Sequence, residues 1–187
     1  MIMSDLFELW SHQSEQVKEL LLAENRITVK RKYIKDKYGE QAEIFLKAYD
    51  FFVTAAEDVV ARPEGAEYPY WAAIDRETAS SGTEGVFLRL KVPEEKAVFF
   101  SDRQWNRILN LEYLPEDSND DENFNKKLES MGIDSTADVI LTPHYPLLKR
   151  EIEMSWRENF VVARRPEEID DKHVKAALWE LRSEWLV

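Results

Sequence analysis

Residues 86–100 read VFLRLKVPEEKAVFF. Val86, Leu88, Leu90 and Val92 alternate with Phe87, Arg89 and Lys91. A period of two sends successive side chains to opposite faces, so this run predicts a β-strand. Pro93 breaks the pattern, and Ala97 to Phe100 predicts a second strand. Ser101 with Gln104 three residues on forms a capping-box signature. It opens a helix carrying Trp105, Ile108 and Leu109, which Pro115 closes.

Upstream, ASSGTEG at 79–85 reads as a loop rich in turn formers, and Tyr70 to Asp75 as a strand. From about Glu40 to Ala61 the apolar residues Ile44, Ala48, Phe51, Phe52, Ala55 and Val59 fall on one helical stripe. Pro63 and Gly65 end it. LFELWSHQ at 6–13 predicts a strand with Phe7, Leu9 and Ser11 on one face. Ser14 then caps a short helix running to about Glu24, with Val17, Leu20 and Leu21 on one side. RITV at 26–29 fits a short strand.

Downstream, EDSNDDE at 116–122 reads as an acidic loop. Phe124, Leu128 and Met131 form a helical stripe stopped by Gly132. Pro143 and Pro146 start a helix with Leu148, Ile152 and Trp156 at spacings of four. Residues 174–187 fit either a helix, through Val174, Ala177, Leu178, Leu181 and Trp185, or a buried strand at AALWEL. The elements interleave without a regular βαβ series. The expectation is therefore an α+β fold, one domain over 1–187. It has a mixed or antiparallel sheet, a long amphipathic helix and several shorter ones.

The chain has 187 residues, 44% of them hydrophobic, with six Trp. That is enough for a core and far from the composition of a disordered acidic tail. Cysteine is absent, which excludes disulfides, thiolate metal sites, iron–sulfur clusters and cysteine nucleophiles. No apolar run approaches the ~18 residues that span a bilayer. Met1 to Trp10 carries Asp5 and Glu8 and no basic residue, the pattern of neither a secretory signal nor a transit peptide. These features predict a soluble cytoplasmic protein without a membrane partner. A formal charge of −12 argues against broad nucleic-acid binding, which needs Lys and Arg to neutralise phosphates. Lys30, Arg31, Lys32, Lys35 and Lys37 nevertheless form a local basic cluster, read as a solvated face or as a contact for phosphate or an acidic partner.

Metal and nucleotide signatures fail on inspection. Asp117, Asn119 and Asp121 imitate the start of a calcium loop, but Glu122 stands where its glycine belongs and Leu128 where its glutamate belongs. His12, His144 and His173 lack metal-site spacing, and the five glycines are too scattered for a phosphate loop. No nucleophile elbow is present.

YPYWAA at 68–73, VPEEKAVFFSDRQWNRILNLEYLP at 92–115, SWRENF at 155–160 and ALWELRSEWLV at 177–187 together resemble an uncharacterised bacterial family, domain of unknown function 3841. The resemblance runs from the long helix onward and is weaker over 116–138. It implies no activity, cofactor or site residue.

Two functional expectations follow. The first is a binding or interaction module with a protein partner, its acidic segment meeting a basic surface, and with no cofactor. The alternative is an enzyme of ADP-ribosyltransferase-like architecture acting on NAD or a related nucleotide, by analogy with a strand–helix opening and a late-strand glutamate. There His12 would bond a ribose hydroxyl and Tyr70 or Trp71 would stack on nicotinamide. Glu180 would stabilise the oxocarbenium ion. The sequence leaves the oligomeric state open.

Overall fold

The computed structural model describes residues 5–79, 82 and 84–187. The first half of the chain runs β1 (Leu6–Gln13), α1 (Glu15–Glu24), β2 (Arg26–Ile27), α2 (Arg31–Tyr38), α3 (Ala42–Glu57), β3 (Tyr70–Ala73), α4 (Arg76–Ala79) and β4 (Val86–Pro93). The second half runs β5 (Ala97–Ser101), α5 (Asp102–Leu109), α6 (Ser118–Met131), α7 (Thr136–Leu141), α8 (Pro146–Asn159), β6 (Val162–Ala163), β7 (Val174–Leu178) and β8 (Leu181–Arg182).

Six strands form one antiparallel sheet in the order β4-β1-β3-β7-β5-β6, while β2 and β8 pair separately. This is an α+β fold. β1 and β4 pair along their whole length, from Leu6↔Pro93 to Gln13↔Val86. Pro93 is thus the last paired residue of β4, a position an edge strand tolerates. Among the described residues no helix is long and apolar enough to cross a membrane.

The central strands β3, β7 and β5 bury both faces of the sheet, and strand alternation sorts residues between two cores. One holds Leu9, Leu90, Phe99, Leu178 and Trp185, with Leu21 from α1. The other holds Phe100, Ala177 and Trp179 from the sheet, covered by Phe52 of α3, Trp105 of α5 and Trp156 of α8. The second is an aromatic cluster. The Phe52 ring lies 4.9 Å from Trp71, 4.9 Å from Phe100 and 5.1 Å from Trp105, all edge-on. Edge-to-face contacts are the geometry the ring quadrupoles favour.

Several local expectations are corrected. The acidic segment 116–122 is not a loop from end to end. Helix α6 begins at Ser118, and Asp117 caps it by accepting the Asp120 N–H at 2.8 Å. Carboxylates in a first turn complement the helix dipole, so a charge run that reads as solvated coil is here a helix start. In the basic cluster, Lys30 precedes helix α2, while Arg31, Lys32, Lys35 and Lys37 lie exposed on that helix, which packs through Ile34. A further helix, α7, starts at its cap Ser135. Ser101 accepts the Gln104 N–H at 3.2 Å, but the reciprocal half of the capping box is unmade. The Gln104 amide instead donates to the Asn159 carbonyl and accepts from the Val161 N–H. Of the two readings left open for the C-terminal segment, the strand one holds, at Val174–Leu178 and Leu181–Arg182. Within 79–85, Ala79 ends α4, while Ser80, Ser81 and Thr83 lie outside the described residues, as do Met1 to Ser4.

Candidate binding site

Helix α3 is amphipathic twice over. Its inner stripe of Ala48, Phe52 and Ala56 is fully buried. A lateral stripe of Lys47, Phe51, Ala55 and Asp58 follows the same helical spacing. Helix α8 starts on Pro146, whose fixed φ and missing N–H suit a first helical position. Leu148, Ile152 and Trp156 face inward, leaving Glu153 and Arg157 on its flank.

The two flanks and Phe160 enclose a groove of ≈ 620 Å³. Its floor is aromatic: the Phe51 ring stands 5.5 Å from Trp156 and 5.8 Å from Phe160. Trp156 is fixed from below, its Nε1 donating to the Glu112 carbonyl at 2.6 Å. Lys47 and Glu153 pair across one end at 2.6 Å. Asp50 is also held, accepting from Arg31 at 2.8 Å and from the Tyr68 hydroxyl at 2.6 Å. Burial and that bond to Asp50 push the Tyr68 hydroxyl pKa well up, so it stays a donor. The rim residues Asp58 and Arg157 have no side-chain partner among the described residues. The groove therefore offers apolar area with an unpaired charge on each bank. Two smaller clefts, of ≈ 340 and ≈ 350 Å³, share Arg107. Its guanidinium is already engaged by Asp121 at 2.8 Å and Glu112 at 3.4 Å.

The four residues singled out in the sequence separate into three places. His12 and Trp71 share one face of the sheet, because Trp10 pairs with Ala73 and each lies two residues away from that pair. The His12 ring packs 4.8 Å from Phe87, with the Arg76 guanidinium 4.4 Å over the same Phe87 ring. Trp71 belongs to the aromatic cluster, its Nε1 donating to the Tyr49 hydroxyl at 3.4 Å. Tyr70 points through the opposite face into the other core, where burial pushes its hydroxyl pKa well up. Tyr70 and Trp71 therefore cannot form one stacking wall.

Glu180 lies between β7 and β8, only 2% exposed. Arg26 Nε donates to one carboxylate oxygen at 2.5 Å and Arg182 Nε to the other at 2.8 Å. Burial acts to raise its pKa. The bonds from Arg182 and Arg26, with their charges, outweigh that and hold the carboxyl below the usual range. The two arginines are register partners in the β2–β8 pair, so Glu180 ties that pair together.

Ser101, Asp171 and His173 also meet, but not as a nucleophilic triad. The Ser101 hydroxyl donates to Asp171, which accepts from the His173 backbone N–H rather than its ring. Among the described residues no group of three or more potential ligands could hold a metal ion.

The family model described as Domain of unknown function (DUF3841) matches residues 8–187, and the chain belongs to that family. No curated protein matches, and no solved structure does.

Proposed function

We propose that this member of the domain-of-unknown-function family 3841 is a binding module. Its α3–α8 groove receives an apolar side chain of a protein partner, flanked by a basic residue that meets Asp58. The observation that carries this reading is the aromatic floor under a rim charge left unpaired. The groove's ≈ 620 Å³ is in the range of sites that engage a ligand or an anchoring side chain. Aromatic floors of this kind supply most of the energy when one anchor is buried. The acidic segment supports the reading less. Asp117 caps a helix, Asp120 accepts from the Tyr113 hydroxyl at 3.0 Å and Asp121 holds Arg107. A cytoplasmic setting accords with the cysteine-free sequence.

The test is site-specific photocrosslinking in cells, with p-benzoylphenylalanine replacing Thr54 on the groove rim or, as control, Glu19 on α1. A discrete protein adduct is expected from Thr54 alone, lost when Ala55→Trp fills the groove. Equal labelling from both positions, or indifference to the filling, would sink the reading.

The enzyme reading keeps one observation in its favour. His12 and Trp71 share a sheet face that carries the Phe87 ring and the Arg76 guanidinium. A planar, anionic ligand such as NAD suits that chemistry. It predicts that millimolar NAD raises the melting temperature by mass action, and that His12→Ala removes the rise. An unchanged melt would count against it.

A further inference from the structure

The groove between α3 and α8 has a direction, and its charges follow that direction. Lys47 pairs with Glu153 at 2.6 Å. Four positions further along α3, the Phe51 ring meets Trp156 at 5.5 Å and Phe160 at 5.8 Å. The two helices therefore advance in the same sense along the groove, and the Lys47–Glu153 pair marks one end. Arg157, one turn past Glu153 and next to Trp156, stands level with Phe51. Asp58 lies seven positions beyond Phe51, toward the other end. That is about 10 Å of helix rise.

Most charges in the groove are spent. Lys47 and Glu153 neutralise each other, and Asp50 is held by Arg31. Arg157 and Asp58 are exposed and unpaired among the described residues. A free positive charge thus stands about two helical turns from a free negative one. Between their levels lies Ala55, half-buried and the smallest side chain of the lining. Residues spaced by four form ridges on a helix surface, and the groove beside such a ridge accepts the ridge of another helix.

We propose that the occupant of the groove is an amphipathic helix carrying an acidic residue for Arg157 as well as the basic residue for Asp58. Its apolar anchor sits over Ala55, about three positions from the basic residue and about four from the acidic one. Those spacings keep all three side chains on one helix face. The aromatic floor supplies affinity. The two charges select among apolar helices, since like charges set face to face oppose binding. An occupant of this kind presupposes the groove reading and specifies the partner's chemistry.

The probe is a phage-displayed library of random peptides about 16 residues long, enough for about four helical turns, selected against the full chain. Peptides that fail to bind Ala55→Trp are the groove ligands. They are expected to share a basic and an acidic residue about seven positions apart, with a large apolar residue between them. Selection against Arg157→Glu should exchange the acidic preference for a basic one. In a selected peptide, replacing the acidic residue by lysine should raise Kd at least about fivefold against wild type and lower it against Arg157→Glu. Circular dichroism checks that each variant is folded. If Ala55→Trp is not, loss of binding to the exposed charge reversal Asp58→Lys identifies the groove ligands instead. Groove ligands without an acidic preference, or with one that Arg157→Glu leaves unmoved, would overturn the proposal while the groove reading stands. So would charges only about three positions apart, the spacing with which an extended strand covers about 10 Å. If no peptide depends on Ala55 or Asp58, the groove reading itself fails and the helix with it.

Discussion

Replacing Glu180 by Gln removes one charge from a buried carboxylate held by two guanidinium groups, with almost no change of shape. A hydrogen bond involving a charged group contributes about 1.5–3 kcal/mol. Breaking a fully buried pair costs about 3–5 kcal/mol. The Arg26 and Arg182 side chains are 40% and 36% exposed, so water recovers part of what they lose. The net expectation is about 2 kcal/mol of stability. For a chain of this length that lowers Tm by about 4–8 °C at neutral pH. The pH dependence carries a definite sign. Glu180 has a folded pKa below its ordinary value of 4.5. Its contribution is therefore fully present above 4.5 and is lost as pH falls through the folded pKa. Thermal melts of wild type and Glu180→Gln, run from pH 8 downward, should stay apart by a constant gap and converge only below that value. Equal melting at pH 7 would refute the reasoning, as would a gap undiminished at the acid limit of folding. The comparison also bears on the enzyme reading, since the same two arginines that stabilise the carboxylate occupy both oxygens a reaction would use.

Two further substitutions probe local structure. Gly85 has φ +125°, and an added Cβ would lie 2.5 Å from the Gln13 carbonyl and 2.9 Å from His12 Nε2; Gly85→Ala should cost at least about 2 kcal/mol in urea unfolding with an unchanged m-value. Asp117→Ala removes the α6 cap and should cost about 1 kcal/mol, seen as a Tm lower by about 2–4 °C; an unchanged melt would mean that the cap at Asp117 does not hold α6.

Where one face of an element is buried and the other wet, its sequence announces it. β4 shows this, with Leu88, Leu90 and Val92 buried and Arg89 and Lys91 exposed. β7 does not, because it lies inside the sheet and packs on both sides. Ala176, Ala177, Leu178 and Trp179 are all buried, so the period of two disappears and a helical spacing appears in its place. Composition misled at 116–122, where acid-rich sequence looks like solvated coil until the cap at Asp117 is recognised. Glu180 is legible in the sequence only as a late-strand glutamate, by analogy of layout. Its partner Arg26 is 154 positions away in sequence, a contact only the pairing of β2 with β8 creates. The groove left a partial trace. Phe51 and Trp156 lay on predicted stripes, but the lateral Lys47–Phe51–Ala55–Asp58 row needs α8 beside it before it means anything.

The strand order has a consequence for synthesis. β7 sits between β3 and β5 in the sheet, yet it is the last of those six strands to leave the ribosome. Until residues 174–178 emerge, the β4-β1-β3 half and the β5-β6 half have no strand to join them. Ala97 to Phe100 and Tyr70 to Ala73 then present unpaired backbone beside a cluster of aromatic rings. A nascent chain stalled in that window would expose sheet edges of the kind that chaperones cover. Its closure, with pairings that span more than a hundred residues between β3 and β7, should set the pace of folding.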